Sequence, residues 1–149
     1  MLLKEICTPK VVYCAADASV LAAAQLMRQA HVGDLVVVDD PNDEGQPLGM
    51  ITDRDIVIEV LARERDARVT IVRDVMRAPV VLASESEDTS TVIERMKAHG
   101  VRRAPVVGEG GRLVGVISLD DLLRQLATEA TALSDIVSRE QSHEQRARR

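Results

Sequence analysis

The feature that most constrains this chain is a junction spelled twice. GMITDRDI occupies residues 49–56 and GVISLDDL residues 115–122. Each reads glycine, two aliphatics, a hydroxyl residue, two variable positions, aspartate and an aliphatic. Upstream the duplication continues at an offset of 69, where Val11, Val12, Met27, Val32, Val37 and Val38 recur as Val80, Val81, Met96, Val101, Val106 and Val107. The offset falls to 66 at Gly49 and Gly115, and the difference lies in the loops DDPNDEGQP and GEGGR, where turn-rich sequence tolerates insertion and deletion. Internal periodicity of this kind governs every later assignment, because the two copies must fold alike.

Each copy contains the same order of physical types. Short strands are predicted at 10–14 and 79–83, amphipathic helices at 18–30 and 88–99, and second strands at 34–38 and 103–107. Third strands follow at 47–52 and 113–118, then helices at 53–64 and 119–131. The runs LVVV and APVV suit strands covered on both faces, and the Gly- and Asp-rich connections suit hairpins. The fold class is therefore α/β (α+β), as two β-α-β-β-α repeats. One half, about 60 residues, is marginal alone, whereas two halves packed together bury enough surface. The expected division is repeat 1 over 1–66 with an N-terminal helix, repeat 2 over 67–131 with a linker helix, and a polar, frayed tail over 132–149.

Composition removes several function classes. The net charge is −5 and a single Tyr13 is the only aromatic residue, which argues against both a phosphate-backbone binder and a base-stacking platform. The arginines at 139, 146, 148 and 149 keep a nucleic-acid regulator as a lesser alternative. No window approaches the roughly 18 apolar residues of a membrane span, and the apolar start is too short for a signal peptide. Cys7 and Cys14 lack a redox spacing, so reduced thiols in a cytoplasm are expected. In the acidic loop, aligning Asp40, Asn42, Glu44 and Gly45 with a calcium loop puts Ile51 where the bidentate glutamate belongs, so no calcium site is expected. His31, His99 and His143 have no second ligand at metal spacing. No serine or cysteine has a base and an orienting partner, so the chain reads as not an enzyme.

The repeated junction supports two readings. Thr52 with Asp55, and Ser118 with Asp121, form the S/T-x-x-D/E capping box that satisfies orphan amides at a helix start. The same hydroxyl and carboxylate could instead hold the vicinal diol of a sugar, with nearby amides suited to an anion.

The element order, together with VRRAPVV…GVISLDDL and its twin HVGDLVVV…GMITDRDI, resembles a tandem pair of CBS domains, the Bateman module, over residues 3 to about 130. The resemblance implies pseudo-two-fold packing of the repeats, two clefts between them, and adenosyl ligands there: AMP, ADP, ATP, S-adenosylmethionine or NAD. It implies one cleft of Thr52, Asp55, Met50, Val80, Val81, Arg102 and Arg103, with Asp120 nearby. The other would join Ser118, Asp121, Val116, Val11, Val12, Gly33 and Asp34, with Arg54 nearby. No cofactor is required on this reading; the nucleotide is a regulatory ligand. It also implies a homodimer formed through helices, for which Leu122, Leu123 and Leu126 are candidates, and leaves the downstream protein target unknown. The linker at 65–78 is the candidate hinge. Two guanidiniums at Arg102 and Arg103, against Gly33 and Asp34, favour the Thr52 cleft for a phosphorylated ligand by about 1 to 3 kcal/mol. The competing class is an interaction scaffold with empty clefts, its boxes acting only as caps.

Overall fold

The computed structural model describes residues 1–42 and 45–148. The loop residues 43 and 44, on which the calcium-loop comparison partly rests, lie outside the described residues.

The chain folds into two three-stranded sheets of identical topology. In the first copy β1 (Tyr13–Ala15) pairs parallel to β2 (Asp34–Val38), which pairs antiparallel to β3 (Pro47–Thr52). Helix α1 (Val20–Ala30) connects β1 to β2, and α2 (Asp53–Ile56) leaves β3 and continues as a π-helical turn over Val57–Leu61. The second copy repeats this with β4 (Ala83–Ser84), α3 (Thr89–His99), β5 (Arg103–Val107), β6 (Leu113–Ser118) and α4 (Leu119–Ala147). Even the irregularities are duplicated. Both central strands shift register before their last valine, at Val37/Val38 and Val106/Val107. Both long connecting helices end on a left-handed residue, His31 and Gly100.

The second and third strands keep the boundaries expected from sequence, because valine runs bracketed by turns leave little freedom. Three expectations change. The first strands are shorter than predicted: pairing begins only at Tyr13 and Ala83, so Val11, Val12, Val80 and Val81 stay unladdered and face the inter-repeat clefts. The helix after β3 ends at Leu61 rather than 64. Helix α4 does not stop near 131 and fray but runs on to Ala147, exposed throughout from Leu126.

The two cores are stitched crosswise. Repeat 1 buries Val20, Ala23, Met27, Leu35, Val37 and Ile51, together with Val72 and Val75 from the linker. Repeat 2 buries Val92, Met96, Ala104, Val106 and Ile117, together with Leu3 from the start of the chain. Leu3 and Val72 are repeat equivalents, 69 apart, and each sits in a 3-10 turn that packs on the other copy's core. The backbone follows the same exchange. Leu3 N–H donates to the Glu87 carbonyl, Val72 N–H to the Ala18 carbonyl, and Met50 and Arg77 exchange two hydrogen bonds, just as Thr8 and Val116 do. A hinge needs few buried contacts. The 65–78 linker instead carries fully buried Val72 and a chain of backbone bonds, so it is a fixed part of the first copy.

The repeated glycine follows from this crossing. A side chain at Gly49 would place its Cβ 2.6 Å from the Arg77 carbonyl oxygen, and one at Gly115 would sit 3.0 Å from both the Thr8 carbonyl oxygen and the Cys7 sulfur. Each third strand needs a residue without Cβ where the exchanged segment passes over it.

Candidate functional site

The exchange leaves two clefts where the repeats meet. Thr52 and Ser118 end strands β3 and β6, and each is the N-cap of the helix that follows. Both junctions close as reciprocal capping boxes. Asp55 N–H donates to Thr52 Oγ1 at 3.1 Å, and Thr52 N–H donates to Asp55 Oδ2 at 3.0 Å. At the second junction Ser118 N–H donates to Asp121 Oδ2 at 2.9 Å and Ser118 Oγ donates to the same oxygen at 2.6 Å. The capping reading is thus realised at both sites, and any ligand contact would be made by the capacity that remains.

The larger cleft encloses about 540 Å³, within the roughly 300–1,000 Å³ usual for small-molecule pockets. Its apolar wall is Met50, Pro79, Val80, Val81, Val101 and Leu119, and its rim carries Thr52, Arg54, Arg77, Arg102 and Arg103. Asp34, Asp53 and Asp120 also line it, so four arginines face three aspartates among the described residues. Arg103 Nη1 donates to Asp34 Oδ1, joining the first residue of β5 to that of β2 across the repeat interface. Burial pushes the Asp34 carboxyl above the usual carboxylate range, an effect that the Arg103 guanidinium partly offsets. The side chains of Arg54 and Arg102 have no hydrogen-bond or ion-pair partner among the described residues.

The smaller cleft encloses about 200 Å³. It is lined by Val11, Val12, Val116, Ser118, Asp121 and Asp34, and by Thr8, Lys10 and Arg103. Arg103 and Asp34 therefore border both clefts, and their ion pair is the wall between them.

Two placements differ from the sequence expectation. Arg54 and Gly33, expected in the second cleft, line the larger one. The reason is that β2 and β5 begin side by side, as the Asp34–Arg103 pair shows, so the first turns of α2 and α4 open into one shared space. Asp55, expected in the first cleft, does not line it. Its side chain is 8% exposed and its second oxygen accepts from Arg77 Nε at 3.1 Å. Asp121, by contrast, borders the smaller cleft and has only a 3.4 Å contact to the exposed Arg124.

Sequence reasoning missed Arg77, Lys10 and Thr8. The duplication contained the signal: Arg77 is the repeat equivalent of Thr8 and Pro79 of Lys10, immediately before the valine pairs already placed in the clefts. Among the described residues no group of three or more His, Cys, Asp or Glu side chains could hold a metal ion, and no helix is long and apolar enough to cross a membrane.

Crossed repeats around an interfacial, arginine-rimmed cavity define a duplicated α/β module with a small-molecule-sized cleft. The chain belongs to the CBS domain family, whose model matches residues 3–62 and 72–128. It is similar to the CBS domain-containing protein YhcV of Bacillus subtilis, 33% identical over 136 residues that cover 89% of this chain and 93% of YhcV. It is also similar to an uncharacterized protein of Methanopyrus kandleri, MK0525, 34% identical over 101 residues, and the match spans 68% of this chain and 50% of that protein. Among solved structures it resembles the CBS domain pair of protein MJ0100 in complex with 5-methylthioadenosine and S-adenosyl-L-methionine. There the TM-score is 0.74 at 25% identity, with 87% of this chain and 98% of that chain covered. The matched family is not a catalytic one.

Proposed function

We propose that this chain is a regulatory module that binds a phosphorylated adenosine, of the AMP, ADP or ATP class, in the larger inter-repeat cleft. The observation that carries the reading is the pairing of an apolar wall with two unpartnered guanidiniums, Arg54 and Arg102, in a cavity of about 540 Å³. Adenine would lie against Met50, Val80 and Val81, the ribose near Thr52, and phosphate oxygens at Arg102 and Arg54. Guanidinium forks match phosphate oxygens, and each charge-assisted bond contributes about 1.5 to 3 kcal/mol. The adenosyl ligands of MJ0100 support the nucleoside part of this reading; that ligand pair carries no phosphate, so S-adenosylmethionine and NAD remain in the test set. The smaller cleft, with Lys10 set against Asp121, is the weaker site.

Occupancy would draw Arg103 toward phosphate and away from Asp34, leaving a poorly solvated carboxylate in the wall between the clefts. That is how a ligand biases the arrangement of the two repeats, since only a differential affinity shifts an equilibrium. Self-association belongs to the same reading, as a homodimer. The thiols support a reducing, cytoplasmic setting: Cys7 and Cys14 are both free, and burial pushes Cys14 up to about 11.

Thermal melting with AMP, ATP, NAD and S-adenosylmethionine is the first test. A concentration-dependent rise in Tm with a phosphorylated adenosine supports the reading. One observation favours the alternative of an interaction scaffold with empty clefts: Asp55 is already saturated by its cap and by Arg77. A flat Tm for all four compounds selects that alternative.

A further inference from the structure

Helix α4 leaves the body of the molecule with an unpartnered apolar stripe. Leu119, Leu123, Leu126, Ala130, Leu133 and Val137 follow one another at spacings of four and three, flanked by Ile136. That alternation is a coiled-coil seam. Leu123 is 53% exposed, Leu126 61%, Leu133 66%, Ile136 62% and Val137 53%. The family match ends at residue 128, yet the helix continues to Ala147. A helix of this kind is marginal in water without packing along its apolar face.

We propose that this stripe is the contact surface for a second copy of the chain, whose α4 lies antiparallel to the first. Charge decides the occupant. Over residues 119–148 six acidic side chains face four basic ones, which disfavours an anionic membrane or nucleic acid. Charge also decides the direction. Asp120 and Asp121 occupy the first turn, whereas Arg139, Arg146 and Arg148 lie at the far end. An antiparallel pair sets Leu119 against Val137, Leu123 against Leu133 and Leu126 against Ala130, so each seam residue meets a seam residue. Arg139 of one copy then lies beside Asp120 and Asp121 of the other, and the helix dipoles oppose. A parallel pair would stack like charges at both ends. The proposal deepens the self-association part of the proposed function and is independent of the ligand reading.

Sedimentation equilibrium on the full chain tests it, with circular dichroism to check helix content. The wild type is expected to dimerise, and Leu133→Lys, an exposed position outside both cores, to weaken dimerisation at least about 30-fold, as for an interface hot spot. Asp120→Arg and Arg139→Asp should each weaken the dimer, and the double variant should recover it. A monomeric wild type defeats both self-association and this surface. A dimer indifferent to Leu133→Lys defeats the surface alone, and a double variant no tighter than either single one defeats the antiparallel direction. None of these outcomes bears on nucleotide binding, which is read separately by melting.

Discussion

The two clefts share one frame and differ in a handful of side chains. Where the larger cleft has Arg77, Pro79, Arg102 and Arg54, the smaller has at the equivalent positions Thr8, Lys10, Gly33 and, beside Ser118, Asp120, although Gly33 and Asp120 turn toward the larger space. Duplication therefore supplies two cavities, and substitution within it concentrates cations and volume in one. The boxes diverge as well. Asp55 is shut behind Arg77, while Asp121 stays open to its cleft. A sugar diol would meet an available carboxylate only in the smaller cleft, and phosphate would meet free guanidiniums only in the larger.

The largest expected effect tests the crosswise stitching. Leu3 is fully buried in the core of repeat 2, so Leu3→Ala should cost about 2 to 5 kcal/mol in urea unfolding. Hydrogen exchange should lose protection in β5 and β6 before β2 and β3, although Leu3 stands next to the first copy in sequence. Earlier loss in β2 and β3 would break the comparison.

Next comes the cation asymmetry. Arg102→Ala should lower affinity for AMP by about 10- to 100-fold in calorimetry, as removal of one charge-assisted bond does. Lys10→Ala should leave that binding unchanged. Equal losses would mean that the clefts do not divide the work.

The glycines give a smaller contrast. Gly49→Ala should destabilise by about 1 to 3 kcal/mol, because its Cβ would meet backbone at 2.6 Å. Gly115→Ala should cost less, since its contacts begin at 3.0 Å and one is the Cys7 side chain.

Most of this frame was legible in the sequence, for reasons that can be located. Strands β2, β3, β5 and β6 were readable because a valine run flanked by turn residues permits one register. Val11 and Val80 looked like strand residues by composition, but their place at the sheet edge, beside a cleft, is a tertiary fact. The closure of Asp55 was not legible at all, since it depends on the linker returning across β3 to set Arg77 beside it. Arg54 was assigned to the opposite cleft because local equivalence ignores that both helix starts share one opening. Helix α4 was cut short because its polar end lacks the apolar period that marks the rest.

The smallest expected effect concerns pH. Asp34 titrates above its unfolded value, so its contribution to stability is fully present below the unfolded pKa, near 4, and is lost as pH rises through the folded pKa. Arg103→Ala removes the charge that holds this value down, so carboxyl NMR should place the Asp34 titration higher still and widen that window. An unchanged titration would mean that the Arg103–Asp34 pair does not form the wall between the clefts.

The central claim is tested most directly by methyl NMR during an AMP titration. The account predicts that Val80, Val81 and Met50 shift first and saturate at lower ligand than Val11, Val12 and Val116. Shifts that begin at Val11, Val12 and Val116, or methyls that do not move at any AMP concentration, would contradict it.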